Sequence, residues 1–385
     1  MNAIRLRQLI LDAAEHVPFY RQHWREAGVD LTRIASAVHL EFLPVVRKAD
    51  LLACPPEMRL DARFLDRPMR GEPTSGSTGR PFEMPIDRQS LGRRRWRFAR
   101  ALMHVGYVPG QRLMLITDPP FPTGAAFARW TYADLRRGEE QVFATYVRTR
   151  PNVLYGSLSS LVLLARRMLA SPEVTCRPKL VISTAEQLTD AHRALLESAF
   201  GARVSDFYGM TELGLVAYSV PGRSGYELVE QDFHFELLPA GNRTDLERLV
   251  VTDLGGGAMP LIRFDTGDLV RRDRARRGAP IVQVSGRQVD CLKLANGAWL
   301  SPYEVTLALD RVAGIRQYQV VQHNDLSVDL YVAPGDAPAS SVLDKARQVL
   351  AGVCGGVMSI NVHELAEQPV RFGEKQRVVC SHAMA

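Results

Sequence analysis

Seven consecutive residues, Thr74-Ser75-Gly76-Ser77-Thr78-Gly79-Arg80, bring together four hydroxyls, two glycines and one cation. Glycine permits the tight backbone and close approach that a phosphate requires, the hydroxyls and amides donate hydrogen bonds, and Arg80 adds a positive end. No Gly-Lys-Ser/Thr follows, which excludes a Walker loop, and alone the stretch reads equally as a surface turn. A second stretch, SDFYGMTELG at 205–214, sets an aromatic ring, a glycine, a hydroxyl and a carboxylate in succession after a β-like run. Tyr208 has the ring to stack on a base and Glu212 the charge to hold a cation. The alternative is a strand-to-helix turn with Thr211 and Glu212 in its first helical turn. In MPLIRFDTGDLV at 259–270 a strand leads into Asp-Thr-Gly-Asp, where Gly267 makes the turn and Asp268 projects a carboxylate able to accept two hydroxyls. SGRQVDCLKLANGAWLSPYEV at 285–305 places Gly286, Arg287 and Asp290 where a hinge would fit, and RFGEKQRVV at 371–379 puts Lys375 in a Gly-containing turn before a terminal strand.

Such residues need a scaffold to bring them together. Through residue 290 helical stretches alternate with short β-rich runs, RLMLI at 112–116, KLVIS at 179–183 and RLVVTDL at 248–254. Alternation of this kind predicts an α/β fold. LSSLVLLARRMLA at 158–170 has helical spacing, and TDAHRALLESAF at 189–200 opens with a Thr cap. From 291 the pattern becomes helix (PYEVTLALDRV), two strands (IRQYQVVQ and SVDLYVAP) across a His-Asn-Asp turn, helix (VLDKARQVLAGV) and strand (SINVHEL). The expected organisation is a large N-terminal domain of sheets packed with helices over 1–290 and a small α+β domain over 291–385 that carries Lys375. At the other end, Leu6, Ile10, Ala13 and Val17 share one face of an amphipathic helix that Pro18 should stop.

Composition narrows the function classes. The 385 residues are 46% hydrophobic and 23% charged, a globular balance, with no run near the roughly 20 apolar residues of a membrane span. Five scattered cysteines without a Cys-x-x-Cys pair suggest reduced thiols, a cytoplasmic address and no structural zinc. The net charge is +6, with arginine clusters RRRWRFAR at 93–100 and RRDRARR at 271–277. Neither cluster sits in a helix-turn-helix, zinc-finger or aromatic-stacking pattern, so both read as solvated faces and nucleic acid is not an expected partner. A mild basic excess suits attraction of a polyanionic small ligand better. Only five residues are lysine, Lys48, Lys179, Lys293, Lys345 and Lys375, so most positive positions use arginine; Lys293 and Lys375 fall in the stretches above.

Taken together and in this order, the five stretches resemble the adenylate-forming (AMP-binding) superfamily of acyl-CoA synthetases, most closely its phenylacetate-CoA ligase branch. The resemblance extends along essentially the whole chain, through VPFYRQHWREAGVD at 17–30, LPVVRKADLL at 43–52, EQDFHFELLPAGN at 230–242 and LVVTDLGGGAMPLIRFDTGDL at 249–269. It implies that Thr74, Ser75, Gly76, Ser77, Thr78 and Gly79 hold the phosphates of ATP. By the same resemblance Ala185 and Glu186 in STAEQLT, with Asp206 and Tyr208, form the adenine site, Gly209 also belongs to the nucleotide-binding residues, Asp268 takes the ribose hydroxyls and Arg287 supports the nucleotide. Glu212 would bind Mg²⁺, Thr211 would lie against the α-phosphate, and Lys375 would reach in from a mobile small domain, hinged at Asp290, to bridge substrate carboxylate and phosphate. Arg80 departs from the lysine that commonly ends the loop, and Glu374 stands where the terminal motif usually has glycine.

The implied activity is ATP-dependent conversion of an aromatic or arylacetic carboxylic acid to an acyl adenylate with release of pyrophosphate, then transfer to coenzyme A. Two anions must approach one another in the first step, so cations and fixed donors are needed. The alternative hands the acyl adenylate to a small amine or hydroxyl, or to a carrier-protein thiol, in a biosynthetic pathway. A nucleotide-binding regulator without turnover is a third reading, against which Glu212, Asp268 and Lys375 stand. A homodimer is compatible with all three, and no membrane partner is expected. Phe121, Trp130, Tyr155 and Phe207 are either acyl-pocket rings or ordinary core aromatics.

Overall fold

The computed structural model describes residues 2–31, 37–73, 83–117, 129–241, 243–272, 281–335, 337–356, 358–365 and 377–383. Thr74, Ser75, Gly76, Ser77, Thr78, Gly79 and Arg80 lie outside the described residues, as do Phe121, Glu374 and Lys375. The chain forms two compact units. One comprises Met1–Leu102, Tyr208–Tyr218 and Tyr226–Ile281; the other comprises Met103–Phe207, Ser219–Gly225 and Val282–Ala385.

The first unit begins with helix Asn2–His16, whose Leu6, Ile10, Ala13 and Val17 are buried as the helical period predicts. Pro18 does end this helix, but it also opens a second, Pro18–Glu26, where a first-turn proline lacks only an N–H that would have no partner anyway. That second helix buries Phe19, Tyr20 and Trp24. Its Tyr20 hydroxyl donates to Pro260 O at 3.1 Å and accepts from Ile262 N at 2.9 Å, docking the helix on the segment ahead of strand Phe264–Arg272. Strands Met69–Pro73 and Glu83–Asp87 pair antiparallel, ending at Pro73 opposite Glu83. The carboxylate of Asp87 then caps helix Arg88–His104, accepting from Gln89 N and Ser90 N at 2.9 Å each. Strands Phe233–Ala240, Arg243–Asp253 and Phe264–Arg272 form an antiparallel run.

Two expectations are corrected here. The turn at 211–213 follows strand Arg203–Met210 and leads into strand Gly214–Tyr218, so Thr211 and Glu212 do not start a helix. Asp265 to Asp268 do not form a turn after a strand but lie inside strand Phe264–Arg272, whose pairing with Arg243–Asp253 shifts register there. Gly267 has φ of +74°, which an irregularity of this kind requires and glycine adopts freely.

The second unit is built on parallel strands in the order Trp130–Asp134, Leu113–Thr117, Val153–Ser157, Leu180–Thr184 and Arg203–Met210. Helices Gly138–Thr149, Leu158–Leu169 and Asp190–Phe200 connect them and contribute Tyr146, Leu161 and Phe200 to a core with Met114, Leu154 and Val181. Leu113–Thr117 and Leu180–Thr184 read as continuous apolar runs because the middle of such a sheet is buried on both faces. Thr189 caps its helix as expected, accepting from His192 N.

A separate core in the same unit gathers Leu292, Val305, Leu309, Val320, Leu330 and Leu350. Its sheet runs Ile360–Glu364, Val328–Pro334, Ile315–Gln322, Val379–Ser381, with helices Pro302–Leu309 and Ala339–Val353. The order helix, antiparallel pair, helix, strand read from the sequence after 291 is the order found. The mixed α/β class is likewise as expected.

Candidate active site

The first unit holds one group of the sequence-predicted residues. Tyr208 and Gly209 close strand Arg203–Met210, and the Tyr208 hydroxyl donates to Asp268 Oδ2 at 2.6 Å, so the ring and the carboxylate singled out sixty residues apart stand side by side. Gly209 has a steric reason for its identity: a Cβ there would lie 2.6 Å from Gly214 O, inside van der Waals contact. Thr211 and Glu212 occupy the turn that follows. Glu212 is buried, and its Oε1 lies 3.1 Å from Lys48 Nζ, at the start of helix Lys48–Ala53. Lys48 escaped notice as a site residue although it lies within LPVVRKADLL. Its rarity as one of five lysines in an arginine-rich chain was the available signal.

The donor chemistry at Glu212 suits Mg²⁺. Among the described residues no group of three or more His, Cys, Asp or Glu side chains is arranged to hold a metal ion. Mg²⁺ does not need such a cage, since it keeps water and phosphate oxygens as ligands and takes one or two carboxylates from protein. A single buried glutamate beside a lysine fits a metal carried in with phosphates.

The arginine cluster at 93–100 is not a solvated face. Arg97 is 2% exposed, and it donates to Leu213 O at 2.7 Å while lying 4.0 Å over the Phe233 ring. Arg94 donates to Thr211 O at 2.8 Å and Glu212 O at 2.6 Å. Buried carbonyls need donors, and here the helix supplies guanidinium groups to those of the turn. With Arg93, Ser90, Glu212 and Asp253 these two line a small, narrow pocket. Burial pushes the Asp253 carboxyl up, against the opposing pull of Arg97, the Gly255 amide, Arg93 and Arg94.

The second unit holds the other group. Ala185 and Glu186 follow strand Leu180–Thr184, and Ser183 and Thr184 pair with Asp206 and Phe207 of the neighbouring strand. These are carboxyl ends of parallel strands, the edge at which open α/β sheets bind ligands. Ala185 has φ of +70°, a left-handed conformation that costs a residue with a Cβ about 1–2 kcal/mol. Glu186 accepts from Ser159 N at 3.0 Å and from Ser159 Oγ at 2.7 Å, which places its charge at the N-terminus of helix Leu158–Leu169, where it is favoured. Gln187 donates to Val284 O at 2.5 Å, tying the STAEQL segment to strand Ile281–Arg287, which ends on Arg287. Asp290 is buried and forms an ion pair with Arg377, two residues beyond Lys375. Of the candidate aromatics, Phe207 is buried and meets Tyr155 edge to face at 6.2 Å, and Trp130 Nε1 donates to the Tyr107 hydroxyl at 3.1 Å.

One strand links the groups covalently. Asp206 ends up in one unit and Tyr208 in the other, both on strand Arg203–Met210.

No protein-family model matches the chain. Its solved neighbours have the fold of adenylate-forming CoA ligases. A 2-hydroxyisobutyryl-CoA ligase in the postadenylation state, in complex with R3-HIB-AMP, superposes with a TM-score of 0.79 at 21% identity, covering 98% of this chain and 88% of that one. An anthranilate CoA ligase in complex with anthranoyl-AMP gives 0.62 at 17% identity, covering 80% and 65%. In sequence, the chain is similar to phenylacetate-coenzyme A ligases, the branch its motifs resemble. It is 28% identical over 354 residues to that of Thermus thermophilus, covering 84% of this chain and 78% of the relative. To that of Escherichia coli it is 25% identical over 309 residues, covering 75% and 70%.

Proposed function

We propose that the protein activates an aromatic or arylacetic carboxylic acid with ATP and passes the acyl group to coenzyme A, in the cytoplasm. The observation that carries this reading is the presentation along one strand and turn of Asp206, Tyr208, Thr211 and Glu212, with Tyr208 hydrogen-bonded to Asp268, in a chain similar to phenylacetate-coenzyme A ligases.

In the first step a carboxylate oxygen attacks the α-phosphorus, the C–O–P link forms, and the bond to the β-phosphate oxygen breaks to release pyrophosphate. The loop from Thr74 to Gly79 cradles the phosphates. Tyr208 stacks on adenine beside Ala185, Glu186 and Gly209, Asp268 accepts the ribose hydroxyls, and Arg287 supports the nucleotide. Thr211 donates toward the α-phosphate, where charge develops. Glu212 would hold the Mg²⁺ carried with ATP, which would supply neutralisation of phosphate charge. Lys375 bridges the two reacting anions. In the second step the coenzyme A thiolate attacks the acyl carbon and AMP leaves. Residues 291–385, which have a core and sheet of their own, act as a small mobile domain that pivots at Asp290 between the steps.

The test is a pyrophosphate-release screen across benzoates, arylacetates, anthranilates and fatty acids, each with and without coenzyme A. The expected result is release with an aryl or arylacetic acid and an acyl-CoA product when the thiol is present. Release without thioester formation would turn the reading to a small nucleophile or carrier thiol as acceptor; no release with any acid would sink it.

A further inference from the structure

Helix Arg88–His104 spends two arginines on a stretch of backbone that its own sequence does not contain. Arg94 sends one donor to each of two successive carbonyls, Thr211 O and Glu212 O, and Arg97 reaches the next, Leu213 O. The aliphatic stem of Arg94 lies against Gly214, where a Cβ would meet Arg94 Cγ at 3.4 Å, so the guanidinium is held from behind by the turn it grips. Two cations this deep need compensation, and it is present: Glu72 lies 3.6 Å from Arg94 and Asp232 lies 3.3 Å from Arg97. The Glu212 side chain leaves the same turn in the direction of Lys48.

We propose that Arg94, seconded by Arg97, is a positioning residue for metal binding: its planar fork fixes the Thr211 and Glu212 peptides so that the Glu212 carboxylate stays aimed at the metal carried by the nucleotide. This rests on the role of Glu212 given above. The geometry explains why arginine is used. A guanidinium spans two neighbouring carbonyls with parallel donors, whereas lysine offers a point charge on a flexible stem and can hold only one of them firmly. A rotation of the 212 peptide would swing the carboxylate, and outer partners of this kind typically account for about 10–100-fold in metal affinity.

The full-length protein is tested as Arg94→Lys and Arg94→Met, the second keeping the stem against Gly214 while losing both donors. Mn²⁺ uptake is followed by electron paramagnetic resonance with a non-hydrolysable ATP analogue, alongside analogue affinity without metal and hydrogen exchange of the amides at 211–215. Both variants should bind the analogue without metal within about threefold of wild type, exchange faster at 211–215, and take up Mn²⁺ at least about tenfold more weakly. Folded variants with wild-type Mn²⁺ uptake would overturn the proposal. So would failure of both variants to fold, since Arg94 would then serve stability alone. A wild-type protein that takes up no Mn²⁺ with the analogue would instead overturn the role of Glu212 on which the clamp depends, and the proposal with it.

Discussion

At the scale of single residues, the chemistry-bearing types were the legible part of the site, and the residues that hold them were not. Tyr208, Glu212 and Asp268 each stood inside a short motif with glycine and could be singled out by type. Lys48 and Arg94 reach their partners across 164 and 117 residues of chain, a juxtaposition no local pattern encodes. Glu212→Gln keeps size and hydrogen bonding but removes the charge, so pyrophosphate release should fall by roughly 10²–10³ while the melting temperature holds; normal release from the folded variant would remove Glu212 from the site. Tyr208→Phe keeps the ring and deletes the 2.6 Å bond to Asp268. A hydrogen bond to a charged group contributes about 1.5–3 kcal/mol, so the KM for ATP should rise about tenfold or more with a smaller change in kcat. An unchanged KM would show that the hydroxyl does not organise Asp268 for the proposed contact with ribose.

At the scale of elements, local periodicity was sufficient for the parallel strands Leu113–Thr117 and Leu180–Thr184, but not for Trp130–Asp134 or Val153–Ser157, and it was sufficient for every helix and strand named after 291, because their apolar spacing and caps are contained in the segments themselves. It misjudged helix Arg88–His104, whose Arg94 and Arg97 face protein, and the region around Gly267, where a turn signal sits within a strand. Side chains at element ends also make ties that sequence does not announce. Thr189, the cap of helix Asp190–Phe200, donates to Asp310 Oδ2 at 2.7 Å, and the Tyr318 hydroxyl donates to Asp310 Oδ1 at 2.9 Å. If residues 291–385 move between the two steps, this tie favours one arrangement. Asp310→Ala should then change adenylation and transfer from supplied acyl adenylate by unequal factors; equal changes in both would reduce the tie to a stability contact. At the outer strands, His323 at 2.8 Å and Asn361 at 3.1 Å, with His363, hold the Asp329 carboxyl down at about 2. Since its folded value lies below the ordinary value near 3.9, the contribution to stability is present above about pH 4 and is lost as pH falls toward 2. The histidines are half exposed, so Asp329→Asn should cost no more than about 1 kcal/mol at pH 5, and denaturant titrations should show the gap closing between pH 4 and 2. A gap that widens on acidification would contradict this.

At the scale of the whole molecule, the chain's division is not a simple cut. Residues 208–218 and 226–281 return to the unit begun by the first hundred residues, and a composition shift along the sequence cannot reveal such a return. The shift at 291 was visible because a new core begins there, closed by Val305, Leu309 and Leu350. Movement about Asp290 is testable at this scale. Asp290→Pro fixes φ and also removes the ion pair with Arg377, whereas Asp290→Asn removes the charge alone. The proline variant should impair one half-reaction at least about tenfold more than the other, the scale on which gating residues act, and the asparagine variant should not. Matching losses in both half-reactions for the proline variant would place the pivot elsewhere.

The docking of helix Pro18–Glu26 has an optical consequence. Trp24 is buried at a ring distance of 5.0 Å from Tyr20, whose hydroxyl is fastened to Pro260 and Ile262, while Trp96 is largely exposed. Tyr20 and Trp24 sit one turn apart on the same helix, so their spacing survives undocking, whereas Trp24 emits from an apolar environment only while the helix is seated. The protein carries an intrinsic fluorophore, Trp24, whose emission wavelength reports, without any label, whether its N-terminal helices have left the body before the rest unfolds.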